Sequence, residues 1–79
     1  MLIPLYGFLE GDTLGLLVLA HDEMTLAEVA AKLQASASVR VAPVDRVELV
    51  YKGRALDPRQ TVAAAGLEAL SRVDVRRPR

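Results

Sequence analysis

Two stretches near the start of the chain have the hydrophobic pattern of β-strands. Residues 2–9 and 14–20 are rich in Leu, Ile, Val, Phe and Tyr, and residues 10–13 between them have the composition of a turn. Apolar and aromatic runs on either side of a short polar segment with Gly are typical of an antiparallel hairpin. The pattern therefore predicts that the chain begins with two paired strands.

The alternation within the first strand separates its side chains into two rows. Successive residues of a strand point to opposite faces of the sheet, so Ile3 and Leu5 fall on one face and Pro4 and Tyr6 on the other. We expect the Ile3 row to face the core. Pro4 has no N–H to donate, and we expect it where the first strand is unpaired or bulged.

Helix signals begin at Thr25. Thr25 and Glu28 form the pattern of a capping box, in which the hydroxyl accepts from the third helical N–H and the glutamate reaches back to the cap. Residues at helical spacing then make one apolar stripe that must face a sheet: Leu26, Val29, Ala30 and Leu33. Glu28 and Lys32 lie at i, i+4, and we expect them to pair. The helix is predicted to end near Ala35 or Ser36.

The second half of the chain adds two strand patterns and a short helical one. Residues 47–51 predict a strand that a glycine turn at 52–53 folds back. A threonine opens a one-turn helix predicted over residues 61–65, and Gly66 suits the left-handed position that closes a helix. The last strand is predicted over residues 71–76, where Arg, Val, Asp, Val and Arg alternate and the valines face inward.

Composition limits the class of protein. At 79 residues with 52% hydrophobic residues, the chain can form a single domain over residues 1–79 and is too short for two cores. Its longest apolar run, residues 16–20, is far below the roughly 20 residues of a membrane span. It has no cysteine, so disulfides and thiolate chemistry are excluded. We expect a cytoplasmic protein without a secretory signal.

The charges balance overall but not along the chain. Residues 1–39 carry five acidic residues and one lysine, a net charge of −4, and residues 40–79 carry +4. Four arginines lie near the end: Arg72, Arg76, Arg77 and Arg79. Basic segments attract phosphate or acidic protein surfaces, but a solvated edge and tail is the simpler interpretation. Weak nucleic-acid binding stays an alternative, although no aromatic residues that stack on bases are interleaved with these arginines.

No residue pattern indicates catalysis or a metal site. His21 is the only histidine, beside Asp22 and Glu23, and an exposed loop histidine ahead of a helix explains it better than a general base. Diiron carboxylate sites need Glu-x-x-His pairs, and Glu28 has no histidine three residues later. The spaced glycines lie within the hairpin and form no phosphate loop. We therefore expect no enzymatic activity, no metal and no cofactor.

The order of these elements and one segment resemble ubiquitin-like proteins. Residues 47–62 read strand, Lys-Gly turn, Leu-Asp, turn residues and Thr-Val, which is similar to the third-strand region of that family. The resemblance extends from Ile3 to Val75. It implies an α+β fold, the ubiquitin-like β-grasp, with a mixed sheet of four to five strands packed on one amphipathic helix. It also implies a domain that binds other proteins.

Two departures from ubiquitin narrow the expected function. Conjugating modifiers end in Gly-Gly, whereas this chain ends Arg76-Arg77-Pro78-Arg79, so we expect no covalent attachment through the C-terminus. Val50 stands where the recognition patch of ubiquitin has its central isoleucine, but Arg76 replaces a flanking valine and adds a charge. We therefore expect that ordinary ubiquitin receptors do not bind this chain.

Six short segments follow a second pattern within the same fold. They are Ile3-Pro4-Leu5, Leu9-Glu10-Gly11-Asp12, Val29-Ala30-Ala31-Lys32, Arg40-Val41-Ala42-Pro43, Pro58-Arg59-Gln60-Thr61-Val62 and Gly66-Leu67. Their types and spacing resemble the ubiquitin-like small subunit of bacterial toluene-type multicomponent diiron monooxygenases, although the basic ending departs from the acidic one of that subunit. The resemblance implies a non-catalytic subunit that binds the large hydroxylase chain and contributes no iron ligand.

The outer face of the sheet is the candidate docking surface. If Ile3 and Leu5 face the helix, apolar residues remain on the opposite face and must be covered. The candidate residues are Leu2, Pro4, Tyr6, Leu17, Leu19, Val50 and Arg76. Phe8 and Tyr51 are instead expected to fill the core. We expect a protein partner and no small-molecule substrate or membrane; a free-standing adaptor, for example one associated with type VII secretion, is the alternative.

Overall fold

The computed structural model describes residues 1–78, and within them the chain forms five strands and one helix. Their bounds are β1 (Leu2–Leu9), β2 (Gly15–His21), α1 (Leu26–Ala37), β3 (Glu48–Tyr51), β4 (Arg54–Ala55) and β5 (Arg72–Arg76). The strands form one sheet in the order β2-β1-β5-β3-β4. β1 and β5 are parallel, and the other neighbours are antiparallel. This mixed sheet with its helix confirms the α+β β-grasp expected from the sequence.

The core lies between α1 and the inner face of the sheet. Leu5 pairs with Val18 across β1 and β2, and Leu49 pairs with Val75 across β3 and β5. The largest fully buried side chains are Leu5, Leu26, Leu33, Val29, Val62, Val73 and Val75. Ile3 packs against the same cluster, so the predicted inward row is confirmed. Burial of each of these aliphatic side chains contributes about 2 kcal/mol to the stability of the fold. α1 covers only this face of the sheet.

α1 begins as the sequence predicts. Thr25 Oγ1 accepts from Glu28 N at 3.2 Å, and Glu28 Oε1 accepts from Thr25 N at 3.1 Å. The helix continues to Ala37, beyond the predicted end, and Ala37 is fully buried in the core. The predicted Glu28–Lys32 pair is wrong because the Glu28 carboxylate is used in the cap. Lys32 Nζ instead donates to the backbone carbonyl of Leu19 at 2.6 Å.

Residues 61–65 form turns and no regular helix, so that predicted element is wrong. Thr61 does cap the segment, since its Oγ1 accepts from the backbone N–H three residues later at 3.1 Å. Gly66 takes a left-handed φ of +75°, as predicted. Leu67 N then turns back to the carbonyl of Val62 at 3.2 Å. The chain reverses before a second helical turn forms, because both of these apolar side chains are buried in the core.

Pro4 lies where no partner needs its missing N–H. Tyr6 N donates to Ser71 O at 2.9 Å and Leu70 N donates to Pro4 O at 2.6 Å. The backbone groups of Pro4 and Tyr6 therefore face the side of β1 on which β5 lies. β5 begins only at Arg72, which pairs with Tyr6, so Pro4 lies ahead of that ladder. The expectation is confirmed that the missing N–H of Pro4 falls where no strand ladder requires a donor.

Candidate protein-docking site

Side chains that the core does not use gather on the outer face of β1 and β2. Pro4 pairs with Leu19 and Tyr6 pairs with Leu17 in the antiparallel register, so both pairs point to the face opposite α1. The members of this surface, which we call the apolar half, are Leu2, Pro4, Tyr6, Leu17 and Leu19. Leu17 is 64% exposed and Tyr6 is 44% exposed. The register thus brings most of the predicted docking residues into one apolar surface.

Phe8 also belongs to the outer face, and the prediction that it fills the core is wrong. It lies two residues after Tyr6 on β1, and the two rings stack with their centroids 5.0 Å apart. Gly7 and Leu9 take the buried, inward positions beside it. Tyr51 does pack against the core, as predicted. A stacked aromatic pair therefore borders the apolar half.

Gly15 makes room for the two rings. It pairs with Phe8 across the hairpin, and a Cβ built on it would lie 2.8 Å from Phe8 Cζ and closer still to the Tyr6 ring. The rings therefore lie over the glycine backbone, a recurring arrangement in which an aromatic side chain covers a cross-strand glycine. The sequence analysis missed this contact. The sequence signal for this contact is a strand glycine opposite an aromatic residue. It can be recognised only once the register of the hairpin is known.

The other half of the outer face is charged, and its charges pair with one another. Arg76 Nε donates to Glu48 Oε1 at 2.8 Å, and an Arg72 amino group lies 3.3 Å from Asp74 Oδ1. We call these four residues the charged half. The Arg72 guanidinium also lies 4.1 Å from the centroid of the Phe8 ring. This cation–π contact marks the boundary between the two halves.

Val50 and Arg76 are less accessible than a docking role requires. Val50 points outward opposite Asp74, yet it is only 6% exposed. It lies in a shallow depression that Phe8 and Arg72 also line. Val50 is therefore not exposed, because longer neighbouring side chains cover it, and its part in docking stays a prediction. Arg76 is held in its ion pair, and Arg79 of the predicted basic ending lies outside the described residues.

An ion pair ties the turn between β1 and β2 to the loop after α1. Arg40 Nε lies 3.0 Å from Asp12 Oδ1, and Arg40 NH2 lies 2.8 Å from Asp12 Oδ2, so the contact is bidentate. The Asp12 side chain is 2% exposed. The hydrogen bonds from Arg40 hold the pKa of Asp12 below its ordinary value. The pair therefore stabilises the fold above the ordinary carboxyl pKa, and this stabilisation is lost as the pH falls through the depressed value.

This ion pair joins two of the segments singled out in the sequence. Asp12 ends the segment Leu9-Glu10-Gly11-Asp12, and Arg40 begins the segment Arg40-Val41-Ala42-Pro43. Val41 packs against the core beside them. The Arg-Val-Ala-Pro segment therefore braces the end of the hairpin that carries the apolar half.

Gln34 makes a second brace that the sequence analysis missed. Its side-chain amide Nε2 donates to Val44 O at 3.2 Å, and its Oε1 accepts from Val44 N at 2.8 Å. Gln34 is buried although it is polar, and these two bonds satisfy its amide. The signal lies in the helical spacing, because Gln34 falls on the same apolar stripe as Leu26 and Ala30. A polar residue on such a stripe predicts a buried hydrogen-bond partner.

The described residues show no arrangement for metal chemistry. Among residues 1–78 no three His, Cys, Asp or Glu side chains come together in a group that could hold a metal ion. In the same range no helix has the length and apolar character needed to cross a membrane. His21 is exposed at the end of β2, where its backbone N–H donates to Met24 Sδ at 3.3 Å.

The fold is that of ubiquitin-like proteins, as the sequence indicated. Ubiquitin from Caldiarchaeum subterraneum superimposes with a TM-score of 0.82 at 21% identity, covering 100% of this chain and 96% of that chain. A structure described as molecular mimicry of SUMO that promotes DNA repair superimposes with a TM-score of 0.78 at 23% identity, over 94% of this chain and 89% of that chain.

Within that class, the chain belongs to the family of toluene-4-monooxygenase system protein B (TmoB), which it matches over residues 2–76. A chain of the toluene 4-monooxygenase HD complex with the inhibitor 4-bromobenzoate superimposes with a TM-score of 0.91 at 23% identity, over 99% of this chain and 100% of that chain. No sequence among the curated proteins matches this chain. The small-subunit family predicted from the six segments is confirmed, and the protein is an accessory subunit of a monooxygenase system.

Proposed function

We propose that this chain is a non-catalytic subunit that binds the large, diiron-containing hydroxylase chain of its monooxygenase system through the apolar half of its outer face. The observation that carries the proposal is the exposure of this half in a member of the TmoB family. A contiguous exposed apolar surface marks an interaction site. The hydroxylase chain is the partner that family membership favours, and the proposal includes the cytoplasmic location expected from the sequence.

The apolar half has the chemistry of the centre of a protein interface. Its members carry no charge, and Tyr6 adds an aromatic ring with a polar hydroxyl, a residue type that is enriched at interface centres. Leu17 and Leu19 are both more than half exposed. Complete burial of such a leucine contributes roughly 2 kcal/mol. This surface therefore suits an apolar surface on a larger chain.

Contacts elsewhere in the molecule hold the apolar half in one shape. The Tyr6 and Phe8 rings lie over Gly15, and the Asp12–Arg40 ion pair fixes the turn that follows β1. A surface that is already ordered loses less conformational entropy on binding. The charged half, with its charges paired within the chain, then forms the rim of the interface, where contacts add little affinity.

The proposal leaves the chemistry of oxygen activation to the large chain. The one acidic residue in the first turn of α1, Glu28, is bonded to Thr25 N and Thr25 Oγ1 at 3.1 Å and 3.0 Å. Ligation of a metal by this carboxylate would break the capping box, which is worth about 1 kcal/mol to the helix. We therefore assign α1 a structural role in supporting the sheet.

The proposal is tested by adding a carboxylate at one of three positions on the outer face. Tyr6→Asp and Leu17→Asp place the charge in the apolar half, and Ala55→Asp places it on exposed β4, next to the charged half. We expect Tyr6→Asp and Leu17→Asp to weaken binding to the purified hydroxylase chain at least 30-fold, or about 2 kcal/mol, because a carboxylate cannot be desolvated at the centre of an interface. Isothermal titration calorimetry measures the dissociation constants.

Ala55→Asp is the matched control, and we expect it to bind within about threefold of the unsubstituted chain, as rim substitutions do. Circular dichroism and urea unfolding establish that all three variants are folded. Equal affinities for the folded Tyr6→Asp, Leu17→Asp and Ala55→Asp variants would remove the apolar half as the docking surface. A hydroxylase chain that fails to bind the unsubstituted protein would favour a free-standing adaptor.

A further inference from the structure

β2 forms a long edge of the sheet. It has seven residues, and β1 is its only neighbour among the strands of residues 1–78, whereas the opposite edge is the two-residue strand β4. A strand edge presents backbone N–H and C=O groups that another chain can pair with. The length of β2 makes it the better template of the two edges.

The hydrogen bonds of β1 show which backbone groups of β2 face outward, away from β1. Tyr6 uses its N–H toward β5, so the pairs Tyr6–Leu17 and Pro4–Leu19 exchange no backbone hydrogen bonds across the hairpin. The backbone groups of Leu17 and Leu19 therefore point away from β1. The backbone hydrogen bonds outside the helix and the strand ladders of residues 1–78 include none to Leu17 N or O. These groups are open to a partner strand.

Lys32 adds a positive charge to this edge. Its Nζ reaches from α1 to the carbonyl of Leu19, the only outward β2 carbonyl that is occupied by a side chain in residues 1–78. None of the ion pairs among those residues includes Lys32, since the nearby Glu28 is used in the helix cap. A lysine on a sheet edge discourages indiscriminate pairing, and an ammonium without a carboxylate favours a partner that supplies one.

We propose that the β2 edge binds an extended segment of the hydroxylase chain as a sixth strand, and that a carboxylate of this segment pairs with Lys32. The inference rests on the proposed function and adds the mode of binding. Backbone bonds form to the N–H and C=O of Leu17 and to the N–H of Leu19, whose carbonyl Lys32 already holds. The alternate side chains of the added strand extend the apolar half, to which both leucines already belong. Main-chain bonds supply affinity and the Lys32 carboxylate pair supplies selectivity.

A second copy of this chain fits the same edge less well. Antiparallel pairing of two β2 edges centred on Leu19 would bring the Lys32 ammonium groups of both copies together, where like charges repel. An acidic extended segment from another protein meets the single Lys32 with the opposite charge. Charge complementarity therefore favours an acidic segment of a different chain over a second copy, and under the proposed function that chain is the hydroxylase.

Two substitutions at one position separate the backbone of the edge from its side chain. Leu17→Ala removes the side chain and keeps the N–H, whereas Leu17→Pro removes both and leaves the hairpin ladder intact, because this N–H points outward. We expect Leu17→Pro to bind the hydroxylase chain at least 30-fold more weakly than Leu17→Ala. Ala55→Pro is the matched control on the β4 edge; Leu56 N bonds to Leu49 O, so the N–H of Ala55 points outward, and its loss should leave binding unchanged.

A charge substitution tests the second part of the proposal without altering the backbone. We expect Lys32→Glu to weaken binding at least tenfold and Lys32→Arg to retain it, as measured by calorimetry at 0.15 M salt. If Leu17→Pro does not fold, a chemically synthesised chain with an ester in place of the Leu17 amide removes the same N–H and keeps the side chain. We expect this chain to bind at least 30-fold more weakly than the unsubstituted chain, because it loses the same N–H and keeps the leucine side chain.

The outcomes distinguish this inference from the proposed function. Equal binding by Leu17→Pro and Leu17→Ala, with Tyr6→Asp still impaired, would overturn strand addition and keep the docking face. Unchanged binding by Lys32→Glu would overturn the carboxylate contact. A dimer of the unsubstituted chain that Leu17→Pro dissociates, seen by sedimentation velocity, would assign the edge to a second copy.

Discussion

The two halves of the outer face lie on one sheet, but they satisfy their side chains in different ways. In the charged half, Arg76 and Glu48 pair at 2.8 Å, and Val50 beside them is 6% exposed. In the apolar half, Leu17 and Leu19 stand out from β2 without a covering side chain, each more than half exposed. The charged half pairs its charges within the chain, whereas the apolar half leaves apolar side chains exposed to water.

This contrast separates a structural surface from a binding surface. Both halves follow the same strand alternation, so alternation alone does not explain why one of them is uncovered. Long charged side chains shield the residues between them with their aliphatic stems, whereas Leu17 and Leu19 on β2 remain more than half exposed beside Tyr6 and Pro4. An uncovered half is stabilised when a partner removes it from water.

The largest expected effect is a loss of folding stability when a carboxylate replaces the buried Val50 beside the charged half. Val50→Asp would bury a charge beside Asp74, and we expect it to lower the free energy of unfolding by at least about 3 kcal/mol. Leu17→Asp adds the same group to an exposed position and should cost less than about 1 kcal/mol. Urea unfolding followed by circular dichroism measures both. Similar losses in the two variants would show that the halves do not differ in burial.

A smaller effect is expected at the glycine beneath the aromatic pair. Gly15→Ala places a Cβ against the Tyr6 and Phe8 rings, and we expect the free energy of unfolding to fall by about 1 to 2 kcal/mol because the rings must move. In a Tyr6→Leu background the loss should shrink, since the closest ring is absent. Urea unfolding of the four chains of this double-mutant cycle measures the coupling. Additive losses would show that Gly15 and Tyr6 do not interact.

The smallest effect is expected from the ion pairs of the charged half. Arg76→Gln removes the bond to Glu48, and we expect a loss of no more than about 1 kcal/mol of unfolding free energy, as for partly exposed pairs. The loss should decrease in 1 M NaCl, where charges are screened within about 3 Å. Calorimetric binding to the hydroxylase chain should stay within about threefold. Binding weakened as strongly as in Tyr6→Asp would place the charged half inside the interface.

Local signals predicted most of the secondary structure. The hairpin, the capping box of Thr25 and Glu28 and the left-handed Gly66 each depend on neighbouring residues, and each is confirmed. Phe8 shows a signal that was present but outweighed. It has the same position in the alternation as Tyr6, which places it outward, whereas its hydrophobicity alone predicts a place in the core.

Other features depend on residues that are distant in the sequence. The burial of Val50 requires β3 to lie beside β5, so that Arg72 and Asp74 flank it. The Asp12–Arg40 pair joins residues 28 positions apart. Neither neighbour relation can be deduced from local periodicity, because periodicity assigns a residue to a face and says nothing about which strand lies next to it.

The sequence by itself determined the strands and the one regular helix, the alternation of inward and outward positions along each strand, and the family to which the chain belongs. The tertiary structure decided the strand order β2-β1-β5-β3-β4. That order puts the charged outer positions of β5 next to Glu48 and Val50, and it leaves Leu17 and Leu19 at an open edge. The physical reason is that alternation is a property of the local backbone, whereas coverage depends on which distant strands the closing sheet brings together.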